Sequence, residues 1–106
     1  MARRIAFQSD HKRFKHVSII TSGRKILAVG YNKGEEHSEA VAIKRLNHHK
    51  RNNGDIPHTL TITNLMFKTR NGNLGNSFPC IECITAISKA RIRWITYVEN
   101  GVYRTI

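Results

Sequence analysis

The chain has 106 residues, 40% of them hydrophobic, and this size predicts one domain, residues 1–106, with a single core. Eighteen lysines and arginines against seven aspartates and glutamates give a net charge of +11. No run approaches the roughly 20 apolar residues of a membrane helix. The basic start Met1–Arg4 is not followed by an apolar signal segment. We therefore expect a cytoplasmic, intracellular protein with no membrane partner.

The positive charge is spread along the chain and is not gathered into one tail. Such an excess attracts polyanions, which makes single-stranded nucleic acid a candidate partner. A solvated basic surface that binds nothing explains the same composition. The charge alone therefore does not choose between these two interpretations.

The first half of the chain predicts a hairpin of two strands. It is preceded by a basic segment at 2–13, interpreted as a short helix or an irregular arm. β-branched residues predict a strand at 15–21, the turn at 22–25 contains glycine, and a returning strand is expected at 26–31. A polar loop then leads to the first motif.

The middle of the chain predicts helices that alternate with strands. A helix is expected at about 37–50, followed by a strand at 59–68. Glycines and asparagines at 71–77 predict a loop. Pro79 is a favourable first residue of a helix, and the second helix is expected at about 80–90.

The end of the chain predicts a second hairpin, made of strands at 93–98 and 102–106 around Asn100-Gly101. Only five residues follow Gly101, too few for a helical crossover, so we expect these strands to pair antiparallel. The element order predicts an α/β fold in which helices pack on a mixed five-stranded sheet.

Two short motifs carry the chemical signal. Residues 37–39 read His-Ser-Glu, and residues 79–83 read Pro-Cys-Ile-Glu-Cys. One imidazole and two thiolates give three zinc ligands, and a zinc with three protein ligands keeps a fourth position for water, as catalytic sites do. Both motifs lie at predicted helix starts, where the helix dipole stabilises thiolates.

The spacing H-x-E followed by P-C-x-x-C is the signature of zinc-dependent nucleobase deaminases, and the chain resembles the cytidine deaminase superfamily along nearly its whole length. The resemblance implies that His37, Cys80 and Cys83 bind Zn²⁺. It implies that Glu39 is the catalytic proton shuttle and not a ligand. It also implies the deaminase fold, a three-layer arrangement with the metal-site helices on one side of the sheet.

Three other interpretations of the motif pair stay open. A structural zinc would need a fourth protein ligand, for which His48, His49 and His58 are candidates by composition but not by spacing. A thioredoxin-like redox pair would leave H-x-E without a role. A metal-free relic would keep both motifs without activity.

The resemblance also suggests residues that bind the substrate. Asn32 matches a strand-end asparagine that binds the sugar hydroxyl in several branches, although asparagine also starts many loops. Ser77 and Phe78 hold positions whose backbone groups read the exocyclic amine. Phe78 departs from the acidic or polar residue common there, and it either stacks on a base or packs into the loop. Ser38 stands where alanine is common, as a helix cap or a tolerated small residue.

The expected second hairpin bears on which base is deaminated. By resemblance, branches with antiparallel last strands include the free cytidine deaminases, whereas branches acting on tRNA adenine, single-stranded DNA or dCMP pair these strands in parallel. Asn100-Gly101 therefore favours cytosine. Gly30-Tyr31-Asn32 points the other way, since it is similar to nucleotide deaminases.

The expected activity is therefore zinc-dependent hydrolytic deamination of a cytosine base to uracil, in a nucleoside or a nucleotide. One alternative is an editing enzyme that deaminates cytosine in single-stranded DNA or RNA. Another is a non-catalytic basic zinc-containing module that binds nucleic acid. The short chain predicts an open pocket, which either accepts a base on a strand or is closed by neighbouring copies in a homo-oligomer.

Overall fold

The structure is a computed structural model that describes residues 14–32, 36–53, 59–68 and 75–106. The segment expected at 2–13 lies outside the described residues, as do His58, the side chain of His49 and the first part of the expected 71–77 loop. Within the described ranges, no helix is long and apolar enough to cross a membrane.

The described elements agree with the predicted order and lie within three residues of the predicted bounds. They are β1 (Phe14–Ser22), β2 (Lys25–Tyr31), α1 (Ser38–Asn53), β3 (Thr61–Lys68), α2 (Ile81–Lys89), β4 (Trp94–Glu99) and β5 (Val102–Thr105). The strands form one sheet in the order β2-β1-β3-β4-β5. β3 and β4 pair in parallel and the other neighbours pair antiparallel. The predicted α/β fold with a mixed five-stranded sheet is confirmed.

Alternation along the strands divides the buried side chains between the two faces of the sheet. Ile20 and Ile62 belong to the larger core cluster, which also takes in Leu46 of α1 and Ile87 of α2. Val17, Leu65, Phe67 and Val98 form a second cluster. Since successive strand residues point to opposite faces, the two clusters lie on opposite faces of the sheet. Both helices pack on the face that carries the larger cluster.

Gly30 sets the distance between β2 and the start of α1. A Cβ at this position would lie 2.3 Å from the backbone nitrogen of Ala42 and 2.4 Å from the carbonyl oxygen of Ser38. Only glycine lets helix and strand backbones approach this closely. The close approach brings the first helix motif against the strand end that carries Asn32.

The second hairpin has the predicted antiparallel pairing, with Thr96 opposite Thr105 and Glu99 opposite Val102. Its turn residues, Asn100 and Gly101, have positive φ values of 51° and 78°. Two consecutive positive φ values define the type I′ turn that matches the twist of paired strands, and Asn-Gly is the sequence best suited to it.

Candidate metal centre and active-site pocket

The two motifs meet because α1 and α2 begin side by side. His37 precedes α1, and its carbonyl oxygen accepts the N–H of Val41 over 3.2 Å, so it occupies the cap position. Cys80 caps α2, and its sulfur accepts the N–H of Cys83 over 3.4 Å. Each cap side chain therefore lies at the positive end of a helix dipole.

The three predicted ligands converge. His37 Nδ1 lies 3.2 Å from Cys83 Sγ and 3.8 Å from Cys80 Sγ, and the two sulfurs are 3.2 Å apart. Tetrahedral zinc bonded at about 2.3 Å to sulfur and about 2.0 Å to nitrogen places its ligand atoms about 3.5–3.8 Å apart. The observed separations are close to these values, so the three side chains can hold one zinc ion.

Among the described histidines, cysteines and acidic residues, the group that could hold a metal ion consists of His37, Cys80 and Cys83. His48 is not one of them, and its side chain lies exposed on α1. The described part of the chain therefore brings three protein ligands together, which is the number typical of a catalytic zinc site.

Burial raises the pKa of the Cys83 thiol above its ordinary value. A hydrogen bond with Cys80 and the negative charge of Glu39 raise it further. Cys83 is therefore a neutral thiol when no metal is bound, and zinc has to displace its proton.

Glu39 lies in the first turn of α1, next to the metal ligands. Its side chain is buried, and its Oε1 accepts a hydrogen bond from Ser38 Oγ over 2.8 Å. It does not belong to the three-residue ligand group. A buried carboxylate beside such a group is placed to accept and release protons at a reacting centre.

A cavity of about 510 Å³ opens at this point and is lined by residues from both motifs. Every residue predicted to contact substrate lines it, namely Asn32, Ser38, Ser77 and Phe78, together with His37, Glu39 and Cys80. The sequence interpretation missed four further lining residues, His16, Glu36, Asn64 and Asn76. Asn64 had one available signal, since it is a polar residue on the strand face that Leu60 and Ile62 make apolar.

The structure gives Asn32 and Ser77 well-defined partners. Asn32 Oδ1 accepts the backbone N–H of His16 over 3.1 Å. Ser77 Oγ donates to the carbonyl oxygen of Asn64 over 2.7 Å and accepts the N–H of Val98 over 2.8 Å. The Ser77 hydroxyl thus fastens the loop before Pro79 to β3 and β4.

Phe78 is exposed at the rim of the cavity. About half of its surface, 52%, is accessible to solvent. Its ring lies edge-on to that of Tyr97, with centroids 4.8 Å apart and an interplanar angle of 83°. The tyrosine orients the phenylalanine and leaves much of its surface available to a ligand.

Helix starts that carry a His/Cys/Cys group and a neighbouring buried glutamate, on one face of a mixed sheet, are typical of zinc-dependent deaminase domains. The sequence model of the cytidine and deoxycytidylate deaminase zinc-binding region matches residues 1–99, and the chain belongs to this family. No curated protein matches the chain significantly. The resemblance drawn from the two motifs is confirmed, with zinc as the cofactor.

Proposed function

We propose that the protein hydrolyses the exocyclic amine of a cytosine base, giving uracil and ammonia, and that the base is carried by a nucleoside or nucleotide. The observation that carries this proposal is Glu39, buried beside the His37, Cys80 and Cys83 group in a cavity of about 510 Å³. Cavities of about 300–1,000 Å³ are usual for small-molecule ligands.

Zinc, when bound, supplies a water that is activated as a nucleophile at neutral pH. Glu39 accepts one proton of this water and passes it to the ring nitrogen next to the attacked carbon. It then removes the proton from the hydroxyl newly bonded to that carbon and delivers it to the departing amine. Because Glu39 is buried, both transfers take place away from bulk solvent.

The cavity wall supplies contacts for the remainder of the substrate. Phe78 offers an exposed aromatic face on which a base can stack. Asn32 lines the cavity and is proposed to bind a sugar hydroxyl, and the backbone beside Ser77, held by its hydrogen bond to Asn64, is proposed to face the exocyclic amine. The antiparallel pairing of β4 with β5 supports cytosine as the base.

The test is uracil formation from cytidine, deoxycytidine and dCMP by the zinc-loaded protein. Glu39→Gln is expected to lower kcat by about 10²–10⁴-fold, the range that general acid–base catalysis contributes. Glu99→Gln removes an exposed carboxylate paired with Arg104 and serves as the matched control. No uracil from any of the three substrates would overturn the proposal.

A second candidate, cytosine in single-stranded DNA or RNA, is favoured by the uneven distribution of charge. The four described carboxylates all lie at the metal-site end of the molecule: Glu36, Glu39, Glu82 and Glu99. The opposite end carries exposed cations at the β1–β2 turn and the start of β2, and from the last residue of α2 to the residue before β4: Arg24, Lys25, Lys89, Arg91 and Arg93.

Strand register places these cations at the same end of the sheet. Lys25 pairs with Ser22, Thr21 with Thr61, and Thr61 with Trp94, so the β1–β2 turn and the start of β4 lie at the same end of the strands. The Arg93 guanidinium lies 5.3 Å from the centre of the Trp94 ring, which is 40% exposed. Cations beside an aromatic ring suit a phosphate backbone with unstacked bases.

The two candidates are distinguished by oligonucleotide binding and turnover. The double variant Arg91→Ala/Arg93→Ala is expected to weaken binding of a single-stranded oligonucleotide and to lower its salt slope by about two. Lys44→Ala/Arg45→Ala removes two charges from α1 and is the control. If both double variants weaken oligonucleotide binding equally, the basic end is not the binding site. Oligonucleotide binding without turnover would indicate the non-catalytic module.

A further inference from the structure

Four buried polar side chains form a hydrogen-bonded chain that ends at the proposed proton shuttle. Ser38 Oγ lies 2.8 Å from Glu39 Oε1 and 2.8 Å from Ser18 Oγ, and Ser18 Oγ lies 2.7 Å from the side-chain amide of Asn64. Between 0% and 6% of each residue is exposed. This series of hydrogen bonds joins the start of α1 to β1 and β3, in the centre of the sheet.

Ser18 and Asn64 stand at positions where an apolar residue would extend the core. By strand alternation they face the helices, on the same side as Ile20 and Ile62 of the larger core cluster. Burying polar groups at such positions costs free energy unless they are hydrogen-bonded. Their contacts lead to Ser38 and through it to Glu39, which suggests a role beyond packing.

When Glu39 is the carboxylate that accepts a proton in the reaction, counting protons fixes the direction of these hydrogen bonds. Two hydroxyls supply two protons, and there are three contacts to fill. With the Ser38 proton given to Glu39, the Ser18 proton must go to Ser38, and Ser18 then needs a donor from Asn64. The atom facing Ser18 is placed as Oδ1, which cannot donate. The oxygen and nitrogen of an amide have nearly the same shape, so the hydrogen-bond network decides between them.

We propose that Asn64 turns its NH₂ group toward Ser18, and that Ser18 and Asn64 are positioning residues for Glu39. The donors then run in one direction, from Asn64 through Ser18 and Ser38 to the Glu39 carboxylate. A fixed donor on Oε1 sets the plane of the carboxylate relative to the metal ligands. Only the kinetic test of this proposal rests on the proposed deaminase function.

The first test does not depend on activity. In the NMR spectrum of the ¹⁵N-labelled zinc-loaded protein, the side-chain NH₂ resonances of Asn64 are assigned as those that disappear in the Asn64→Asp variant. We expect one of its two protons to exchange slowly with solvent and to shift in Ser18→Ala but not in Ile20→Val, which alters the same strand face. Exchange as fast as that of the exposed Asn47, with no shift in Ser18→Ala, would overturn the proposal.

The second test is kinetic and uses Ser18, which does not line the cavity. Ser18→Ala is expected to lower kcat for cytidine by about two- to twelvefold, the effect of losing one neutral hydrogen bond, because Ser38 loses the donor behind it, with KM within about twofold. Zinc content should be unchanged. Ser18→Thr, which keeps the hydroxyl, should restore kcat, and Ile20→Val should leave it unaltered.

A separate variant tests the orientation of the Asn64 amide. Asn64→Asp keeps an acceptor at the position facing Ser18 and removes the donor, so it should not support wild-type kcat. Wild-type kcat in Asn64→Asp would show that an acceptor suffices and would overturn the proposal. If no cytosine substrate is turned over at all, the proposed function fails. The Asn64 resonances still decide whether Asn64 donates a hydrogen bond to Ser18.

Discussion

His37 Nδ1 lies 3.2 Å from Cys83 Sγ, although the two residues are 46 positions apart in the chain. The approach follows from two helix starts that share one face of the sheet. Gly30 allows the first helix to lie against β2, and Cys80 caps the second. The metal centre therefore depends on backbone packing around it as well as on its ligands.

The first prediction concerns the pH dependence of zinc binding. Burial raises the pKa of Cys83, so the metal-free protein keeps this proton well above neutral pH. Zinc binding releases it, and the affinity should therefore rise with pH, by about tenfold per pH unit for this proton alone. Competition with a chromophoric chelator at about pH 6, 7 and 8 measures the slope. An affinity that does not change with pH would contradict this assignment.

The second prediction concerns Gly30. Gly30→Ala forces a methyl group against the backbone of α1, where the free space is too small for it, and should cost about 1–3 kcal/mol of stability or more. Zinc affinity should fall as well, because the His37 side of the site shifts away from the cysteines.

Gly23→Ala is the matched control for Gly30. Gly23 has a positive φ of 59°, and a Cβ there would meet no atom within 4 Å. The substitution should cost about 1 kcal/mol through backbone strain and leave zinc affinity unaltered. Thermal unfolding and chelator competition on both variants would check this, and equal zinc affinities for the two would count against the packing argument.

The sequence predicts each of the two motifs as a unit because the geometry within each motif is local. A C-x-x-C at a helix start and a glutamate two residues after a histidine are arranged by the first turn of a helix. The hydrogen-bonded chain behind Glu39 was not predicted, since it depends on the pairing of Ser18 with Asn64 across β1 and β3. Strand order and register of this kind are set by the whole core.

Ser38 illustrates the same limit. The sequence allows a helix cap or a tolerated small residue, and the structure shows a hydroxyl that donates to Glu39 over 2.8 Å. The cap of α1 is instead the preceding residue, His37. Identifying the acceptor required knowing which way the first turn presents its side chains.

The third prediction concerns Phe78. Its exposed ring at the rim is proposed to stack on the base, and stacking on an aromatic side chain is worth about 1–3 kcal/mol. Phe78→Ala should therefore raise KM for cytidine by about five- to a hundredfold. Phe78→Trp keeps an aromatic face and should stay close to wild type. If Phe78→Ala leaves KM unaltered, the ring only packs against Tyr97.

This zinc-binding protein is proposed to deaminate cytosine through Glu39. The most direct measurement is the formation of uracil and ammonia from cytidine and its deoxy and monophosphate forms by protein with one zinc per chain. We expect equimolar products from the wild type and a kcat about 10²–10⁴-fold lower in Glu39→Gln at unchanged zinc content. Fully zinc-loaded protein that releases no uracil, or a Glu39→Gln variant as active as the wild type, would contradict it.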